Sequence, residues 1–327
     1  MKVVEVFDLK KDISHCKVRF LIPTLNRPSE LYKTLEWNLD AIEKSSQNYE
    51  IQILISENCS DDKYKLDLVH LDSISQKFSR GSVYLVRQIE RLNLNVHFRL
   101  VSSLGDCEWH IWCGDDDLIN KKYICEVLAK IIHSGGRDAF IPGIANITQD
   151  EFFKASESSG DLVNSIYLPK VKRAWYSIYR GHQLSGVVVP YKIAKEVNSE
   201  LSERNHYPWI AYLGRCLRFG KITHYPQLKT RVTTGTPKLF CYGENGLVPD
   251  IDEAIYIGYG LSFKSLRYSL AVFIRPFIVG RMLHVSTNFW VRVYRYTCLF
   301  FDCRLRKSIF FISYPFFIYR LIFAGRK

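Results

Sequence analysis

Three adjacent carboxylates, Asp115, Asp116 and Asp117, are the strongest chemical feature of the sequence. This acid triplet directly follows the apolar stretch WHIWC and a glycine, and adjacent carboxylates repel one another unless a cation or water separates them. Hard oxygen ligands at a turn suit Mg²⁺ or Mn²⁺, which take one or two protein carboxylates together with the phosphates of a ligand. The pattern therefore predicts a metal site that uses Asp115 and Asp117. The alternative is that Asp117 caps a helix that begins near Ile119.

Polar loops also follow two other apolar runs. The run VRFLIP leads into PTLNRP, which contains Asn26, and the run IQILIS leads into SENCSDD, which contains Glu57, Asn58 and Asp62. Glu57 and Asp62 alone are equally typical of a turn and an N-cap. The sequence has no glycine-rich phosphate loop of the GxxxxGK[ST] or GxGxxG type, so a phosphate-bearing ligand would have to be neutralised by the metal.

Strand and helix patterns alternate between these loops. Short apolar runs predict strands at 18–23, 51–56, 83–86, 109–113 and 139–144. Helical spacing predicts a helix that starts at Pro28 and others at 61–78, 93–104 and 119–132. This order predicts an α/β fold, a doubly wound and mostly parallel sheet with helices on both faces. Ligands bind such sheets beyond the carboxyl ends of the strands, where we expect the three polar loops to converge.

The charge of the chain is concentrated at its C-terminal end. Residues 261–327 hold twelve Lys or Arg and one acid, a net charge of +11, so the first 260 residues carry only +1 of the total +12. Basic and aromatic residues alternate there, as in FWVRVYRY and YPFFIYRLIF, and the longest apolar run is too short to span a bilayer. We predict a body at 1–250 and a basic, aromatic helical tail at 251–327 that lies in the interface of an anionic membrane. The alternatives are a helical subdomain whose core holds the aromatic residues, and RNA binding, which the absence of an RNP-type motif disfavours.

The cysteines indicate a reducing compartment. The chain has nine cysteines, an odd number, with no CxxC pair and no zinc-finger spacing, which is typical of buried free thiols. The first fifteen residues contain no apolar segment of a secretory signal. We therefore expect the body to lie in the cytoplasm.

Four motifs in register resemble the family 2 glycosyltransferases, which have the GT-A fold. VRFLIPTLNRP, ILISENCSDD, RLNLNV and WHIWCGDDDLI are most similar to the O-antigen subgroup that includes the abequosyltransferases. The resemblance covers residues 17–145 well and 180–235 loosely, so 17–145 would be the nucleotide-binding half and 146–250 the acceptor half. It implies a metal site of the DxD type at Asp115 and Asp117 that holds Mn²⁺ or Mg²⁺. It also implies a nucleotide-sugar site that comprises Pro23, Thr24, Asn26, Arg27, Glu57, Asn58, Asp62, Asn93, Asp115 and Asp116, with Glu57 in place of the usual Asp.

The acceptor half departs from the family pattern. Many members of the family that invert the anomeric centre carry a Glu-Asp pair whose Asp is the general base, and the corresponding stretch here, SERNHYPWIAYLGR, lacks that pair. The candidate bases are His206, whose reference pKa suits neutral pH, and Glu203. Packing beside Tyr207 and Trp209 is the alternative role for His206. His182 and Ser185 would border the acceptor, although a turn before a strand explains them equally well.

Together these features predict a metal-dependent, inverting hexosyl- or dideoxyhexosyltransferase of bacterial O-antigen or surface polysaccharide synthesis. The resemblance implies a nucleotide-sugar donor and a glycan acceptor carried on a polyprenyl diphosphate. The expected location is the cytoplasmic face of the bacterial inner membrane, with no nucleic acid partner. A sugar-phosphate nucleotidyltransferase is the alternative enzyme, but it would need a basic, glycine-rich loop after the first strand. A non-catalytic membrane-bound assembly protein is the remaining alternative, which the intact acid triplet disfavours.

Overall fold

A computed structural model of the chain describes residues 5–8, 16–45, 50–79, 81–104, 106–156, 183–234 and 247–260. The strands in these ranges are β1 (Glu5–Asp8), β2 (Cys16–Thr24), β3 (Ile51–Glu57), β4 (Gly81–Arg87), β5 (Cys107–Trp112), β6 (Asp117–Leu118), β7 (Ala139–Ile147), β8 (Val188–Pro190) and β9 (Ile222–Thr233). The helices are α1 (Pro28–Glu43), α2 (Leu68–Gln76), α3 (Leu94–Ser103), α4 (Lys121–Ile131), α5 (Gln149–Lys154), α6 (Tyr191–Glu200), α7 (Pro208–Phe219) and α8 (Leu247–Tyr259). A 3₁₀ turn lies at Asp62–Tyr64.

The strands form one mixed sheet in the order β1-β4-β3-β2-β5-β8-β7-β9-β6. Strands β4, β3, β2 and β5 are parallel neighbours, as are β7 and β9, whereas β8 runs antiparallel between β5 and β7. The five strands predicted from the apolar runs are β2, β3, β4, β5 and β7, and the predicted α/β fold is confirmed. The strands β8 and β9 of the mixed half are not among those predicted from the apolar runs.

The core lies on both faces of the sheet. Alternate residues of a strand point to opposite faces, so Phe20 packs with Leu35 of α1 and Val127 of α4, while its neighbour Leu21 belongs to the cluster that contains Trp209 of α7. A strand buried on both faces is apolar at nearly every position, and β3 is buried from end to end. The two-sided core holds the carboxyl ends of β2, β3 and β5 at one edge.

Two predicted helix starts are wrong. The helix predicted at 61–78 begins at Leu68, where the Asp67 side chain accepts a hydrogen bond from the backbone of Val69. The backbone before it is engaged elsewhere, since the Leu66 N–H donates to Glu57 and its carbonyl accepts from Arg87. The helix predicted at 119–132 begins at Lys121, and Asn120 caps it. Asp117 is therefore not an N-cap.

Candidate active site

A cavity of about 300 Å³ opens beyond the carboxyl ends of β2 and β5. Loops after β2, β3 and β5 form one wall, and residues near the start of α7 form a second wall. The prediction that the polar loops converge agrees with this arrangement. The residues predicted for the site that line the cavity are Pro23, Thr24, Asn26, Arg27, Asn58, Asp115, Asp116, Asp117 and His206.

The acid triplet is buried against a single guanidinium. Its three residues are between 7% and 9% exposed, and Arg27 Nη1 lies 2.7 Å from Asp116 Oδ2 and 3.4 Å from Asp115 Oδ1. The Thr24 hydroxyl donates to Asp115 Oδ2 at 2.7 Å. Burial raises the pKa of Asp115 to about 7 and the charge of Asp116 adds to this effect, while Arg27 and Thr24 act in the opposite direction. Among the described lining residues, three carboxylates therefore share one guanidinium.

Asp117 is tied to the surrounding backbone. Its Oδ2 accepts a hydrogen bond of 2.5 Å from the Ser185 hydroxyl, and its Oδ1 accepts one of 3.1 Å from the Thr233 N–H. Ser185 in turn accepts a hydrogen bond from the Gly114 N–H at 2.7 Å. These bonds connect the loop after β5 to β9 and to the turn before β8. Ser185, predicted beside the acceptor, is buried and does not line the cavity.

The donor atoms fit a hard divalent cation that is shared with a ligand. Within the ranges that the structure covers, no group of three or more His, Cys, Asp or Glu side chains is placed to hold a metal ion. Mg²⁺ and Mn²⁺ sites of enzymes that act on phosphates commonly take one or two carboxylates and complete their shell with phosphate oxygens and water. Asp115 and Asp116 are the better match to that donor set because they share the Arg27 guanidinium, which lines the cavity, whereas Asp117 accepts its hydrogen bonds from Ser185 and from the backbone of Thr233.

The loops after β2 and β3 are joined by asparagines. Asn26 adopts a left-handed backbone with φ of 58°, and its side chain exchanges hydrogen bonds of 2.7 and 2.8 Å with Asp61. Asn58 does the same with the backbone of Leu92, at 2.8 and 2.9 Å. Both line the cavity, so each holds a loop and presents an amide edge to the ligand space.

Three residues predicted for the nucleotide site do not line the cavity. Glu57 is 1% exposed, and its carboxylate pairs with Arg87 at 2.7 Å and accepts from the Leu66 N–H at 3.2 Å. Asp62 is exposed and pairs with Lys65 at 2.7 Å. Asn93 is exposed before α3. Glu57 therefore supports the loop beneath the site in this structure.

His206 lines the same cavity as the acid triplet. Its Nδ1 lies 2.7 Å from Asp250 Oδ2 in α8, and its backbone N–H donates to the same oxygen at 3.2 Å. Glu203, the other candidate base, is exposed and absent from the cavity lining, although its carbonyl accepts a hydrogen bond from Asn95. Of the two candidates, His206 alone has the position that a base would need.

An aromatic and imidazole wall completes the cavity, and the sequence did not single it out. His97, Phe98, Tyr207 and Trp209 line it, with the Phe98 and Trp209 rings packed edge to face at 5.2 Å. His97 Nε2 lies 2.8 Å from the Ser56 hydroxyl, and burial lowers the pKa of His97 to about 4. A neutral imidazole beside aromatic rings suits the contact of a sugar or nucleobase. Of these residues, the sequence pointed to Tyr207 and Trp209 alone, as the packing partners of His206 in its alternative role.

Two predictions concern residues outside the described ranges, namely His182 beside the acceptor and the basic tail at 261–327. In the described part of the chain, none of the helices combines the length and hydrophobicity that crossing a bilayer requires.

The fold of the chain is GT-A-like, as solved structures of S. aureus TarS demonstrate. A crystal structure of TarS residues 1–349 in complex with UDP-GlcNAc superposes with a TM-score of 0.60 at 12% identity, over 88% of this chain and 80% of that one. The complex with UDP gives 0.58 at 13% identity, over 92% and 91% of the two chains. TarS 1–349 without a named ligand gives 0.57 at 12% identity, over 87% and 79%. No protein-family model and no curated protein sequence matches the chain.

Proposed function

We propose that the chain is a glycosyltransferase that moves a sugar from a nucleotide-sugar donor to a hydroxyl group of an acceptor glycan. The observation that carries this proposal is the cavity itself, because three carboxylates and a histidine line the same space. The diphosphate of the donor needs a positive charge beside it. The hydroxyl group of the acceptor glycan needs a base that takes its proton, on the other side of the transferred sugar. The complexes of TarS with UDP-GlcNAc and UDP support a nucleoside diphosphate as the carrier.

Asp115 and Asp116 would hold Mn²⁺ or Mg²⁺ on the donor side. A cation held there would supply stabilisation of the charge that develops on the leaving diphosphate. Arg27, 2.7 Å from Asp116, balances the carboxylates before the donor arrives and is close enough to contact a phosphate afterwards. Thr24 and Asn58 contribute polar contacts in the same wall. This assignment differs from the sequence prediction, which paired Asp115 with Asp117.

His206 acts as the general base in an inverting displacement. The acceptor oxygen attacks the anomeric carbon, and the bond from that carbon to the phosphate oxygen breaks. The hydroxyl proton passes to His206 Nε2, on the far side of the ring from Asp250, and the nucleoside diphosphate leaves with the bonding electron pair. The aromatic rings of Tyr207 and Trp209 lie in the same wall and are suited to pack against a sugar face.

The acceptor and its location rest on the sequence. A glycan carried on a polyprenyl diphosphate would be held at the membrane, and a tail with a net charge of +11 and seventeen aromatic residues would keep the enzyme at an anionic inner leaflet. The proposed role is therefore O-antigen or surface polysaccharide synthesis at the cytoplasmic face of the bacterial inner membrane. A hexosyl or dideoxyhexosyl donor is consistent with the resemblance.

Calorimetry tests the donor site without knowledge of the acceptor. UDP and a panel of nucleotide sugars that includes UDP-GlcNAc are titrated into the full-length protein with Mn²⁺ and again with excess EDTA. We expect binding that EDTA weakens at least tenfold and that Asp116→Asn abolishes. Asp62→Asn, which removes an exposed acid in the neighbouring loop, is the matched control and should bind as the wild type does. Absence of binding by every nucleotide tested would remove the proposed function, and EDTA-insensitive binding would remove only the metal.

A further inference from the structure

The α8 helix carries a carboxylate that reaches the proposed base from 44 residues away in the sequence. Asp250 is 5% exposed, and its Oδ2 receives both the ring Nδ1 of His206, at 2.7 Å, and the backbone N–H of the same residue, at 3.2 Å. We propose that Asp250 is a positioning residue that fixes the ring orientation of His206 and keeps its proton on Nδ1, so that Nε2 can accept the proton of the acceptor hydroxyl. This inference rests on the proposed function, because it assigns a partner to the base of that reaction.

The chemistry follows from the two nitrogens of the imidazole ring. A neutral histidine carries one ring proton, and only the nitrogen without it can accept another. A carboxylate at Nδ1 accepts a hydrogen bond from Nδ1–H, which leaves the lone pair on Nε2. The same carboxylate stabilises the imidazolium that forms once the proton has been transferred, as a buried Asp does in Ser-His-Asp sites. Burial raises the pKa of Asp250, whereas the hydrogen bonds and charge of His206 act in the opposite direction.

A second carboxylate of α8 holds the loop that precedes His206. Glu253 accepts hydrogen bonds from the Ser202 N–H at 3.0 Å, from the Ser202 hydroxyl at 2.8 Å and from Asn205 Nδ2 at 2.9 Å. Asn205 also donates to the Asp250 carbonyl at 2.8 Å. The helix thus clamps the loop at several points, and Asp250 contacts the imidazole directly. A variant at Glu253 therefore tests the structural role of α8 by itself, because it loosens the loop without removing the carboxylate that contacts His206.

The close approach of α7 and α8 makes this arrangement rigid. A Cβ atom at Gly258 would lie 2.7 Å from the Ala211 carbonyl oxygen, so glycine allows the two backbones to touch there. Arg215 of α7 reaches across to the Ile257 carbonyl at 3.2 Å and to Glu200 at 2.6 Å. These contacts fix the position of α8, which carries Asp250, against α7. His206 lies just before α7, so its position relative to Asp250 is fixed as well.

Turnover of the full-length protein tests the assignment. Nucleoside diphosphate release is measured with the nucleotide sugar that binds in calorimetry, with either water or a polyprenyl-diphosphate-linked sugar as the acceptor. Asp250→Asn should lower kcat roughly tenfold or more and leave the donor Kd within about twofold, because the donor wall is untouched. Glu253→Gln is the matched control and should keep kcat within about threefold. In a His206→Ala background, Asp250→Asn should cause no further loss, since the two residues act as one unit.

Each failure has a different signature. Wild-type kcat in Asp250→Asn, together with an inactive His206→Ala, overturns the role of Asp250 and leaves the base in place. Full turnover in His206→Ala removes the base, and Asp250 with it, although the nucleotide site stands. A ¹H–¹⁵N spectrum of the histidine rings at pH 9 gives a readout that needs no substrate, with His206 assigned by its loss in His206→Gln. We expect the Nδ1–H tautomer in the wild type and its loss in Asp250→Ala, whereas an Nε2–H tautomer in the wild type overturns the inference.

Discussion

Replacement of Asp117 and of Asp116 by asparagine should separate two roles within the acid triplet. Asp117→Asn keeps one carbonyl oxygen but turns the other oxygen into an N–H₂ group, so either Ser185 or the Thr233 N–H loses its acceptor. A hydrogen bond to a buried charged group contributes roughly 1.5–3 kcal/mol. We therefore expect the free energy of unfolding to fall by about 2 kcal/mol, equivalent to roughly 5 °C in melting temperature for a domain of this size.

Asp116→Asn should have the opposite effects, with little change in the stability of the fold but loss of nucleotide binding. It loses the ion pair with Arg27 but also removes a like charge that raises the pKa of Asp115, so we expect the free energy of unfolding to change by less than about 1 kcal/mol. Binding of UDP in the presence of Mn²⁺ should be lost, because one of the two proposed metal ligands is gone.

Urea titrations in EDTA and UDP calorimetry in Mn²⁺ measure the two effects independently. In EDTA the stability of each variant reflects only the protein's own contacts, and Asp62→Asn again serves as the exposed control. If Asp117→Asn unfolds as the wild type does but loses metal-dependent binding, while Asp116→Asn retains binding, the reasoning fails. The metal pair would then be Asp115 and Asp117, as the sequence alone predicted.

Three further predictions concern the core, the helix contact and the tail. His110 is fully buried, and neither of its ring nitrogens has a hydrogen-bond partner among the described residues. Burial lowers the pKa of His110 to about 3, so below pH 6.5 the unfolded chain binds more protons than the folded chain does. His110→Phe should therefore raise stability by an amount that grows by about 1.4 kcal/mol per pH unit as the pH falls below 6.5, whereas the exposed control His133→Gln should show no such gain in urea titrations. Gly258→Ala should cost roughly 1–3 kcal/mol in unfolding free energy and lower kcat, because its methyl group would meet Ala211, and Gly135→Ala, which meets nothing within 4 Å, should do neither. Replacing four phenylalanines of the tail by serine should weaken flotation with anionic vesicles more than moderate salt does; the four are Phe310, Phe311, Phe316 and Phe317. A wild-type protein that fails to float with these vesicles at low salt contradicts the membrane assignment.

The parallel half of the fold and the donor wall could be predicted because their signals are local. A strand buried on both faces is a short apolar run, and β2, β3 and β5 each stand out as one. The residues that follow such strands in a parallel sheet share an edge whatever the details of the packing. Thr24, Asn58 and Asp115 therefore meet in the cavity, as the polar loops suggested.

The remainder depends on contacts between residues far apart in the sequence. Glu57 has the same sequence context as the other polar strand ends, and only the position of Arg87 on the adjacent strand turns its carboxylate away from the cavity. Asp250 lies in an ordinary acidic stretch, DIDEA, with nothing to indicate that it meets His206. His97 is one of nine histidines, and its contribution arises from the cavity that α3 borders.

The distribution of charge explains why the two walls of the cavity suit different steps of the proposed reaction. Arg27 is the one Arg or Lys among the described lining residues, and it pairs with two of the three carboxylates there, so a bare diphosphate entering this wall would meet net repulsion. The second wall contains His206, whose Nδ1 contacts the buried carboxylate of Asp250. Aromatic rings line the cavity beside this histidine. A divalent cation would offset the negative charge of the first wall without altering the second, which is held by α7 and α8. Donor affinity and proton transfer should therefore respond to separate mutations, and the contrast between Asp116 and Asp250 measures that independence directly.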